Sequence, residues 1–379
     1  MDNLTYIIRP APFMSGEGVM TDSRYEVKML GWNTPQDYLD YVHPYWTTFH
    51  APNPFLHYML GVFYIFFMVA ALLGNGVVIW VFTSAKSLRT PSNMFVVNLA
   101  ILDFIMMLKT PVFIINSFNE GPIWGKIGCD TFALMGAYSG IGGAMTNAAI
   151  AFDRYKTIAR PFEARMSKTV ALLMVLCIWA YASPWALLPL FNVWGRFVPE
   201  GFLTTCSFDY LTETSSTRAF VGCIFVFSYV IPGCIIVYFY SQIFSHVKAH
   251  EKAMREQAKK MNVESLRGVG SKEEQERSVE IRIAKVCMGL FFMFVVSWTP
   301  YAVVALIGAF GDRSKLTPLI SMLPALNCKF VACIDPWVYA INHPRYRLEL
   351  QKRMPWFCIH EEKPQDSISM STTDTLAKT

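Results

Sequence analysis

Long apolar runs separated by short polar stretches recur seven times along the chain, after an irregular beginning. Each run can cross a bilayer as a helix, which takes about 20 residues. Only helices satisfy their own backbone hydrogen bonds in lipid without closing into a barrel. The runs are Phe55–Phe82, Ser92–Phe118, Ile127–Tyr155, Val170–Leu190, Arg218–Phe244, Ile283–Phe310 and Pro318–Ile341. The pattern predicts an all-α membrane protein, a seven-transmembrane helix bundle.

The distribution of Lys and Arg predicts the orientation of the bundle. Both residue types follow the first and third runs, and they are frequent from His246 to Lys285, between the fifth and sixth runs. Cytoplasmic loops carry the excess of positive charge. The N-terminus is therefore expected outside and the C-terminus in the cytoplasm. Opposite charges three or four residues apart in this loop predict that spans five and six continue as solvated helices.

The bundle is expected to cover residues 55–342, and the segments on either side of it have distinct compositions. Residues 1–54 are expected to form an irregular extracellular tail, with Asn3 in an N-glycosylation pattern. Residues 343–358 are expected to form a short amphipathic cytoplasmic helix at the membrane surface, followed by Cys358, a palmitoylation candidate or a free thiol. Residues 359–379 have the composition of a disordered cytoplasmic tail. Its Ser/Thr-rich stretch Ser367–Thr375 offers hydroxyl groups for phosphorylation.

Composition excludes several classes of function. The chain has 379 residues, of which 53% are hydrophobic and 16% charged, whereas soluble proteins have about 25% charged residues. There is no basic stripe interleaved with exposed aromatic residues, which argues against nucleic-acid binding. The nine cysteines lack the paired C-x-x-C spacing of metal or redox sites. We therefore expect membrane lipid around the bundle, no nucleic-acid partner and no metal site.

A lysine, Lys329, lies in the middle of the seventh run. A cation near the bilayer centre costs from about 2.5 kcal/mol upward, so it is taken as functional by default. A buried lysine is also readily kept neutral, and a neutral amine condenses with an aldehyde to a Schiff base. The alternative is a lysine that pairs with an intramembrane acid and has no covalent role.

Two further features lie at opposite ends of the third run. Asp153-Arg154-Tyr155 closes it at the cytoplasmic face, where an acid beside an arginine forms a breakable charge pair; a snorkelling arginine is the alternative. Cys129 lies about 37 Å away along the helix, at the outer face. Cys206 is the other cysteine clearly on that side, so we expect a disulfide in the oxidising compartment. It would hold the intervening loop over the bundle as a lid.

Taken together, these motifs resemble those of the class A (rhodopsin-like) G protein-coupled receptors, over residues 55–358. The resemblance rests on Gly74-Asn75, Asp103, Cys129, Asp153-Arg154-Tyr155, Trp179, Pro232, Trp298-x-Pro300 and Asp335-Pro336-x-x-Tyr339. Within that family, a lysine six residues before the Asp/Asn-Pro motif marks the opsins. Lys329 therefore resembles the residue to which retinal is attached, and Asp335 is a common variant of the usual asparagine.

Longer stretches narrow the resemblance. Gln257–Asn262 and His343–Arg347 are similar to invertebrate rhabdomeric opsins, and Trp194–Gly201 is similar to insect short-wavelength visual opsins. The resemblance implies a visual pigment and not an enzyme, with no catalytic residues. Its implied cofactor is 11-cis-retinal or a hydroxylated retinal. The implied partners are a Gq-class heterotrimeric G protein, with arrestin and a receptor kinase at the Ser/Thr-rich tail. The implied location is the microvillar (rhabdomere) membrane of a photoreceptor cell.

The resemblance also assigns the residues of the binding site. Phe132 stands where vertebrate visual opsins carry a glutamate counterion, which leaves Glu200 as the counterion candidate; the alternative is a solvated loop acid. Four further residues are implied to contact the retinal, namely Phe132, Gly136, Trp298 and Tyr301. The implied G-protein switch consists of Asp153, Arg154, Tyr155, Asp335, Pro336 and Tyr339.

A second intramembrane lysine, Lys109, bears on the colour of the pigment. Its direction is open because Pro111 bends the helix there, so the side chain either snorkels to the outer headgroups or reaches the retinal linkage. A neighbouring positive charge disfavours a proton on the Schiff base, and a deprotonated Schiff base absorbs in the ultraviolet. A lysine here also resembles the pattern of insect ultraviolet opsins. We therefore expect an ultraviolet pigment, with Lys109 in spectral tuning; a blue-sensitive opsin is the alternative.

Two other functions were considered. A receptor for a diffusible amine or peptide predicts no buried lysine in the seventh run and, for amines, an acid near Gly136, and the chain has neither feature. A retinal photoisomerase would be an enzyme without G-protein coupling. The intact Asp153-Arg154-Tyr155 and the basic third cytoplasmic loop argue against it.

Overall fold

The computed structural model describes residues 28–160, 163, 165–260, 272–358 and 360–361, most of them in α-helices. The helices are α1 (Pro54–Ser84), α2 (Pro91–Leu108), α3 (Thr110–Phe118), α4 (Gly125–Ala159), α5 (Lys168–Leu190), α6 (Ser215–Phe225), α7 (Ile231–Lys260), α8 (Lys272–Phe310), α9 (Pro318–Asn342) and α10 (Pro344–Arg353). Span two consists of α2 and α3, and span five of α6 and α7. Spans one, three, four, six and seven are α1, α4, α5, α8 and α9.

Within the described residues, six spans are long and apolar enough to cross a membrane by composition alone. The remaining one, α4, has 35 residues and packs against α2, α5, α7 and α8. Its buried positions hold many small or polar residues, among them Gly142, Gly143, Thr146 and Asn147, which lower its hydropathy. A helix surrounded by protein does not need an apolar surface toward lipid. The predicted seven-transmembrane bundle is confirmed.

Proline interrupts spans two and five. Proline lacks a backbone N–H, and its ring clashes with the carbonyl group four residues earlier. Pro111 follows the boundary between α2 and α3, which falls at Lys109. Pro232 follows a π-helical turn at Val226–Val230, where the freed carbonyl group of Ser228 lies. Both interruptions border the cavity described below.

A β-hairpin covers the extracellular side of the bundle, as the predicted lid. Strands β1 (Phe197–Glu200) and β2 (Thr205–Phe208) are antiparallel, with Glu200 opposite Thr205. The turn between them begins at Gly201, whose φ of +62° suits glycine. A disulfide joins Cys129 to Cys206 with their Cα atoms 5.2 Å apart. The predicted disulfide is confirmed, and it fixes β2 to the start of span three.

The described part of the N-terminal segment, residues 28–53, packs onto this lid. It contains 3₁₀ turns at Gln36–Tyr41 and Trp46–Thr48, and Tyr38 and Trp46 are each only 1% exposed. The Tyr45 hydroxyl lies 2.5 Å from the Arg313 carbonyl oxygen and 2.8 Å from that of Leu316, and its single hydrogen is shared between these two acceptors. The prediction of an irregular tail did not anticipate this packing.

A second set of contacts joins the extracellular ends of spans five and six. Arg218 Nε donates to the Ala309 carbonyl oxygen at 3.0 Å. The Arg313 guanidinium, just after span six, pairs with Glu213 at 2.8 Å. With the Tyr45 bonds, these contacts tie the loop between spans six and seven to both the N-terminal segment and span five.

On the cytoplasmic side, α10 lies where a short surface helix was predicted. It begins after His343, whose Nδ1 accepts a hydrogen bond from the Tyr346 backbone N–H at 3.2 Å. Tyr346 is buried and stacks on Phe82 of α1 with ring centroids 5.1 Å apart. Two arginines, Arg347 of α10 and Arg282 of span six, pair with Glu361 at 2.7 and 3.6 Å.

The long cytoplasmic ends of spans five and six agree with the sequence. Helix α7 reaches Lys260 and α8 starts at Lys272, as the charge spacing predicted. Cys358 is exposed just beyond α10. Asn3 and the stretch Ser367–Thr375 lie outside the described residues.

Candidate functional site

A cavity in the extracellular half of the bundle brings the predicted binding residues together. The space in it that the centre of a water-sized sphere can reach is about 120 Å³. Small-molecule sites are mostly apolar, with a few polar groups. All seven residues assigned to the binding site line this cavity: Lys109, Phe132, Gly136, Glu200, Trp298, Tyr301 and Lys329.

Lys329 reaches the cavity from span seven. The side chain is 4% exposed, and its Nζ donates a hydrogen bond to the Ala325 carbonyl oxygen one turn earlier. The same nitrogen lies 5.2 Å from the centre of the Phe132 ring. A buried amine that lines a mostly apolar cavity is chemically suited to condense with an aldehyde.

Lys109 lies at the break between α2 and α3, and its side chain turns into the bundle. It is 5% exposed, and its Nζ lies 4.2 Å from the centre of the Phe132 ring. Gly136, one turn after Phe132, faces the same nitrogen, and a Cβ atom added at Gly136 would collide with it. Of the two directions left open by the sequence, the structure has the one toward the cavity.

Glu200 enters the cavity from above, on β1. It is 3% exposed, and the Tyr210 hydroxyl donates a hydrogen bond to its Oε2 at 3.0 Å. Burial raises the pKa of Glu200 to about 7, against the opposing effects of Lys329, the Tyr210 bond and Lys109. A solvated loop acid would be exposed, so this alternative does not describe the position of Glu200.

Two hydrogen bonds of the lid were not anticipated from the sequence. Tyr210 holds Glu200, and Ser207 of β2 is hydrogen-bonded to Tyr301 of span six. Both depend on the register of the hairpin, in which Glu200 pairs with Thr205. The sequence suggests a lid through its cysteines but contains no signal for this register. The polar partners of the predicted residues could therefore not be assigned.

Trp298 packs closely beneath the cavity. A Cβ atom at Gly140 of α4 would lie 2.5 Å from the Trp298 ring, so glycine permits the approach. Pro300 lies two residues further along span six and removes one intrahelical hydrogen bond. The Asn327 side-chain amide, two residues before Lys329, donates to the Ser297 carbonyl oxygen at 3.3 Å. This bond links the cavity end of span seven to the proline region of span six.

The predicted switch residues lie on the cytoplasmic side of the cavity. Arg154 Nε donates to Asp153 Oδ2 at 3.1 Å, and Ser92 of α2 donates to Asp153 Oδ1 at 2.9 Å. Both members of the Asp153–Arg154 pair are buried, so this arginine does not snorkel. The Tyr155 hydroxyl accepts a hydrogen bond from Arg160 Nε at 3.0 Å.

In span seven, the Asp335-Pro336 motif faces spans one and two. The Asp335 carboxyl group faces that of Asp103, and Gly74 leaves room for the Pro336 ring against α1. Asn75 donates to the Ala332 carbonyl oxygen at 2.8 Å. Tyr339 lies in α9, and its side chain is outside the described part of the structure.

The residues around the cavity fit an apolar molecule with one reactive aldehyde. The walls are largely aromatic or aliphatic, and their ionisable groups include two amines and one carboxyl group. Hydroxyl-bearing side chains also line the cavity, namely Ser207, Ser228, Tyr229 and Tyr301. Lys329 is positioned to hold such a molecule covalently, with Trp298, Tyr301 and Phe132 along the walls. Among the described residues there is no group of three or more His, Cys, Asp or Glu side chains arranged to hold a metal ion.

Comparisons with known proteins agree with this geometry. The profile of the family described as "7 transmembrane receptor (rhodopsin family)" matches residues 74–339. The chain is 57% identical to "Opsin, ultraviolet-sensitive" of Apis mellifera, over 96% of this chain and 98% of the relative. It is 51% identical to "Opsin, blue-sensitive" of the same species, over 99% and 98%.

A solved structure has the same architecture. The crystal structure of squid rhodopsin superimposes with a TM-score of 0.78 and 36% sequence identity, covering 85% of this chain and 92% of that one. These relatives are light receptors and not enzymes. Two family-level features, the Cys129–Cys206 disulfide and a buried lysine in span seven, are both present here. The chain belongs to the rhodopsin family of seven-transmembrane receptors and, within it, to the opsins, the visual pigments that bind retinal and act through heterotrimeric G proteins.

Proposed function

We propose that this opsin holds retinal as a Schiff base on Lys329, absorbs ultraviolet light and activates a Gq-class G protein. One observation carries the proposal: the amines of Lys329 and Lys109 lie against the same Phe132 ring, in a cavity whose lid contributes Glu200. The chromophore would be 11-cis-retinal or a hydroxylated retinal. Glu200, held by Tyr210, is the proposed counterion of the linkage when that linkage carries a proton.

The chain's own residues account for the attachment. Retinal supplies an aldehyde carbon to the amine and a polyene whose shape changes on absorbing light. The Lys329 nitrogen would attack in its neutral form, through its lone pair. The condensation would release water, formed from the aldehyde oxygen and both hydrogens of the neutral amine. The resulting C=N linkage carries a positive charge only if it binds a further proton.

We propose that Lys109 keeps the C=N linkage unprotonated. A positive charge within the same low-dielectric cavity disfavours a second one nearby. A carboxylate at position 132 would compensate the positive charge of Lys109, but the side chain there is the uncharged ring of Phe132. Burial also favours the neutral form of the Glu200 carboxyl group. An unprotonated linkage absorbs in the ultraviolet. The similarity to the ultraviolet-sensitive opsin of Apis mellifera supports this proposal. The chain is also similar to the blue-sensitive opsin of the same species, so a blue-sensitive pigment is the alternative to test.

The signalling step is proposed to run through span six. A change in ligand shape presses on Trp298 and Tyr301, which line the cavity. Asn327 connects span seven near Lys329 to the Ser297 carbonyl group of span six. Span six then moves away from Arg154, and the opened cytoplasmic face binds the G protein. A ligand can shift such an equilibrium only by its difference in affinity for the two states, and light changes that difference.

Further partners and modifications follow from the resemblance to rhabdomeric opsins. We propose that the Gq-class protein binds between the extended cytoplasmic ends of α7 and α8. Arrestin and a receptor kinase would act at Ser367–Thr375, Asn3 would carry a glycan, and the exposed Cys358 would carry palmitate. The proposed location is the microvillar membrane of a photoreceptor cell.

Absorbance spectra before and after illumination test the proposal. The wild-type protein loaded with 11-cis-retinal is expected to absorb in the ultraviolet in the dark. Lys329→Ala is expected to reach the membrane but to form no pigment. Lys109→Glu or Lys109→Asn is expected to move the dark absorbance into the visible, because the linkage then keeps its proton.

The controls separate the parts of the proposal. Reductive trapping of retinal on a lysine other than Lys329 would refute the attachment site. A wild-type dark pigment that already absorbs in the blue would favour the blue-sensitive alternative. Light-dependent nucleotide exchange on purified Gq-class protein, compared with a Gi-class protein, tests the coupling; equal or preferred activation of the Gi-class protein would contradict it.

A further inference from the structure

The direction of the Lys109 side chain needs a physical cause. A lysine near the end of a membrane helix can extend its flexible chain to the outer headgroups and keep its charge in water. Here the nitrogen instead lies inside the bundle, in a residue that is 5% exposed. Something on the opposite helix must stabilise it there.

Span three provides two neighbouring features that do so. The centre of the Phe132 ring lies 4.2 Å from the Lys109 nitrogen, and a cation over an aromatic face is attracted by the negative face of the ring, more strongly when both are desolvated. Gly136 is four residues later, on the same face of the helix. Its missing side chain leaves the space that the nitrogen occupies, since any Cβ atom there would overlap it.

We propose that Phe132 and Gly136 form a seat for the Lys109 ammonium group, and that Gly136 is the positioning residue that admits this charge to the cavity. The spectral consequence rests on the proposed function, in which Lys109 acts on the Lys329 linkage. The seat itself is a property of the protein without retinal. A side chain at position 136 would close the seat and send the ammonium group back toward the headgroups.

Other glycines of α4 face different neighbours. A Cβ atom at Gly140 would meet the Trp298 ring, and one at Gly142 would meet Leu102. These two glycines permit apolar helix packing, whereas Gly136 faces a cation. The nearest atom to a Cβ at Gly143 would be Leu99 Cδ1 at 3.9 Å, an ordinary van der Waals distance. Gly143→Ala is therefore a matched control that adds the same methyl group without closing the seat.

The seat can be tested without chromophore. Retinal-free wild type, Gly136→Ala and Gly143→Ala are treated with formaldehyde and cyanoborohydride under native conditions, and the methylated fraction of each lysine is measured by mass spectrometry. Lys109 is expected to be labelled severalfold faster in Gly136→Ala than in the other two. Lys329, buried in all three, serves as the internal reference.

The spectrum then tests the consequence. With 11-cis-retinal, Gly136→Ala is expected to shift dark absorbance into the visible, and the same substitution in a Lys109→Met background is expected to add no further shift. Such a double-mutant comparison isolates the coupling between the two positions. If Gly136→Ala does not fold, Phe132→Leu opens the seat from its other side and is assayed in the same way.

The two readouts separate the inference from the proposed function. Unchanged labelling of Lys109 in a folded Gly136→Ala protein overturns the seat. Faster labelling with an unmoved spectrum supports the seat and contradicts the role of Lys109 in ultraviolet absorption. Faster labelling with a shift that persists in the Lys109→Met background supports the seat but assigns the shift to another effect of the methyl group.

Discussion

At the scale of single residues, the site owes its chemistry to burial. Lys329, Lys109 and Glu200 are each at most 5% exposed and line one cavity. In water these groups would all be charged near neutral pH. In a low-dielectric cavity charged groups interact more strongly than they do in water. Small rearrangements at this site therefore change the electrostatic interactions among these three side chains.

Glu200 gives a direct test in the retinal-free protein. Its pKa is raised by burial from 4.5 to about 7, so the folded protein binds a proton at Glu200 more tightly than the unfolded chain does. The associated stability is complete below about pH 4.5 and is lost as the pH rises through 7. It amounts to about 3 kcal/mol, the free energy that corresponds to the difference between these two pKa values. Glu200→Gln is expected to abolish this part of the pH dependence in thermal unfolding experiments between pH 4.5 and 8.

The control for this experiment is an acid outside the cavity. Glu163→Gln makes the same chemical change at a cytoplasmic residue whose side chain is 46% exposed. It is expected to keep the wild-type pH profile. An unchanged profile in Glu200→Gln would mean that the pKa of Glu200 is the same in the folded and the unfolded protein, which would contradict the effect of burial.

The residues of the site were predictable to different degrees. Lys329 stands out because a lysine in an apolar run has a cost that sequence alone reveals. Glu200 followed from its spacing to Cys206 within a resembling family. The direction of Lys109 was not predictable, because Pro111 breaks the helical phase on which such a prediction depends. Tyr210 was missed because its contact with Glu200 depends on how the lid hairpin folds.

At the scale of elements, the spans follow closely from the apolar runs. Their ends differ by a few residues, apart from the cytoplasmic extensions of α7 and α8, which the charge spacing signalled. The π-helical turn at Val226–Val230 was not predicted, since Pro232 indicates an interruption but not its form. The packing of residues 28–53 was not predicted either. It depends on the tertiary contacts of Tyr38 and Trp46 and not on a periodic pattern of hydrophobic residues.

The lid is the element whose attachment can be removed by one substitution. Cys206→Ala breaks the bond that fixes β2 to α4, and a disulfide typically stabilises a fold by about 2–4 kcal/mol. We expect a lower unfolding temperature and faster loss of the pigment in detergent, because Glu200 and Ser207 then lose their fixed positions above the cavity. Differential scanning fluorimetry and the decay of absorbance in the dark measure both effects.

A free cysteine provides the comparison for the lid. Cys177→Ala replaces an exposed thiol of span four that forms no disulfide, and it is expected to behave as the wild type. Wild-type stability in Cys206→Ala, or recovery of both thiols as free in peptide mapping, would contradict the structural role of the bond.

At the scale of the whole molecule, one acid joins two parts of the cytoplasmic face. Glu361 pairs with Arg347 of α10 at 2.7 Å and with Arg282 of span six at 3.6 Å. Outward movement of span six would break the second pair. The contact therefore favours the closed arrangement, by the roughly 0.2–1 kcal/mol typical of a partly exposed ion pair.

Removing this contact should raise signalling in the dark. Glu361→Gln is expected to increase basal nucleotide exchange on the G protein by about two- to fivefold, the change in equilibrium that about 0.5–1 kcal/mol produces. Asp40→Asn, which removes an exposed acid from the N-terminal segment on the opposite side of the bundle, is the control. Equal basal exchange in Glu361→Gln and the wild type would show that the pairs do not restrain span six.

Span six is a lever with unequal arms. Its outer arm, from Pro300 to Phe310, ends in a loop clamped by Tyr45 and Arg218, while its inner arm runs about 28 residues from Pro300 to Lys272, or about 42 Å. Proline supplies the pivot because a hydrogen bond is missing there. Because the outer arm is held, a bend of only about 4° at Pro300 displaces the cytoplasmic end of the inner arm by about 3 Å. The length of the helix therefore amplifies a small bend into a large movement of its cytoplasmic end.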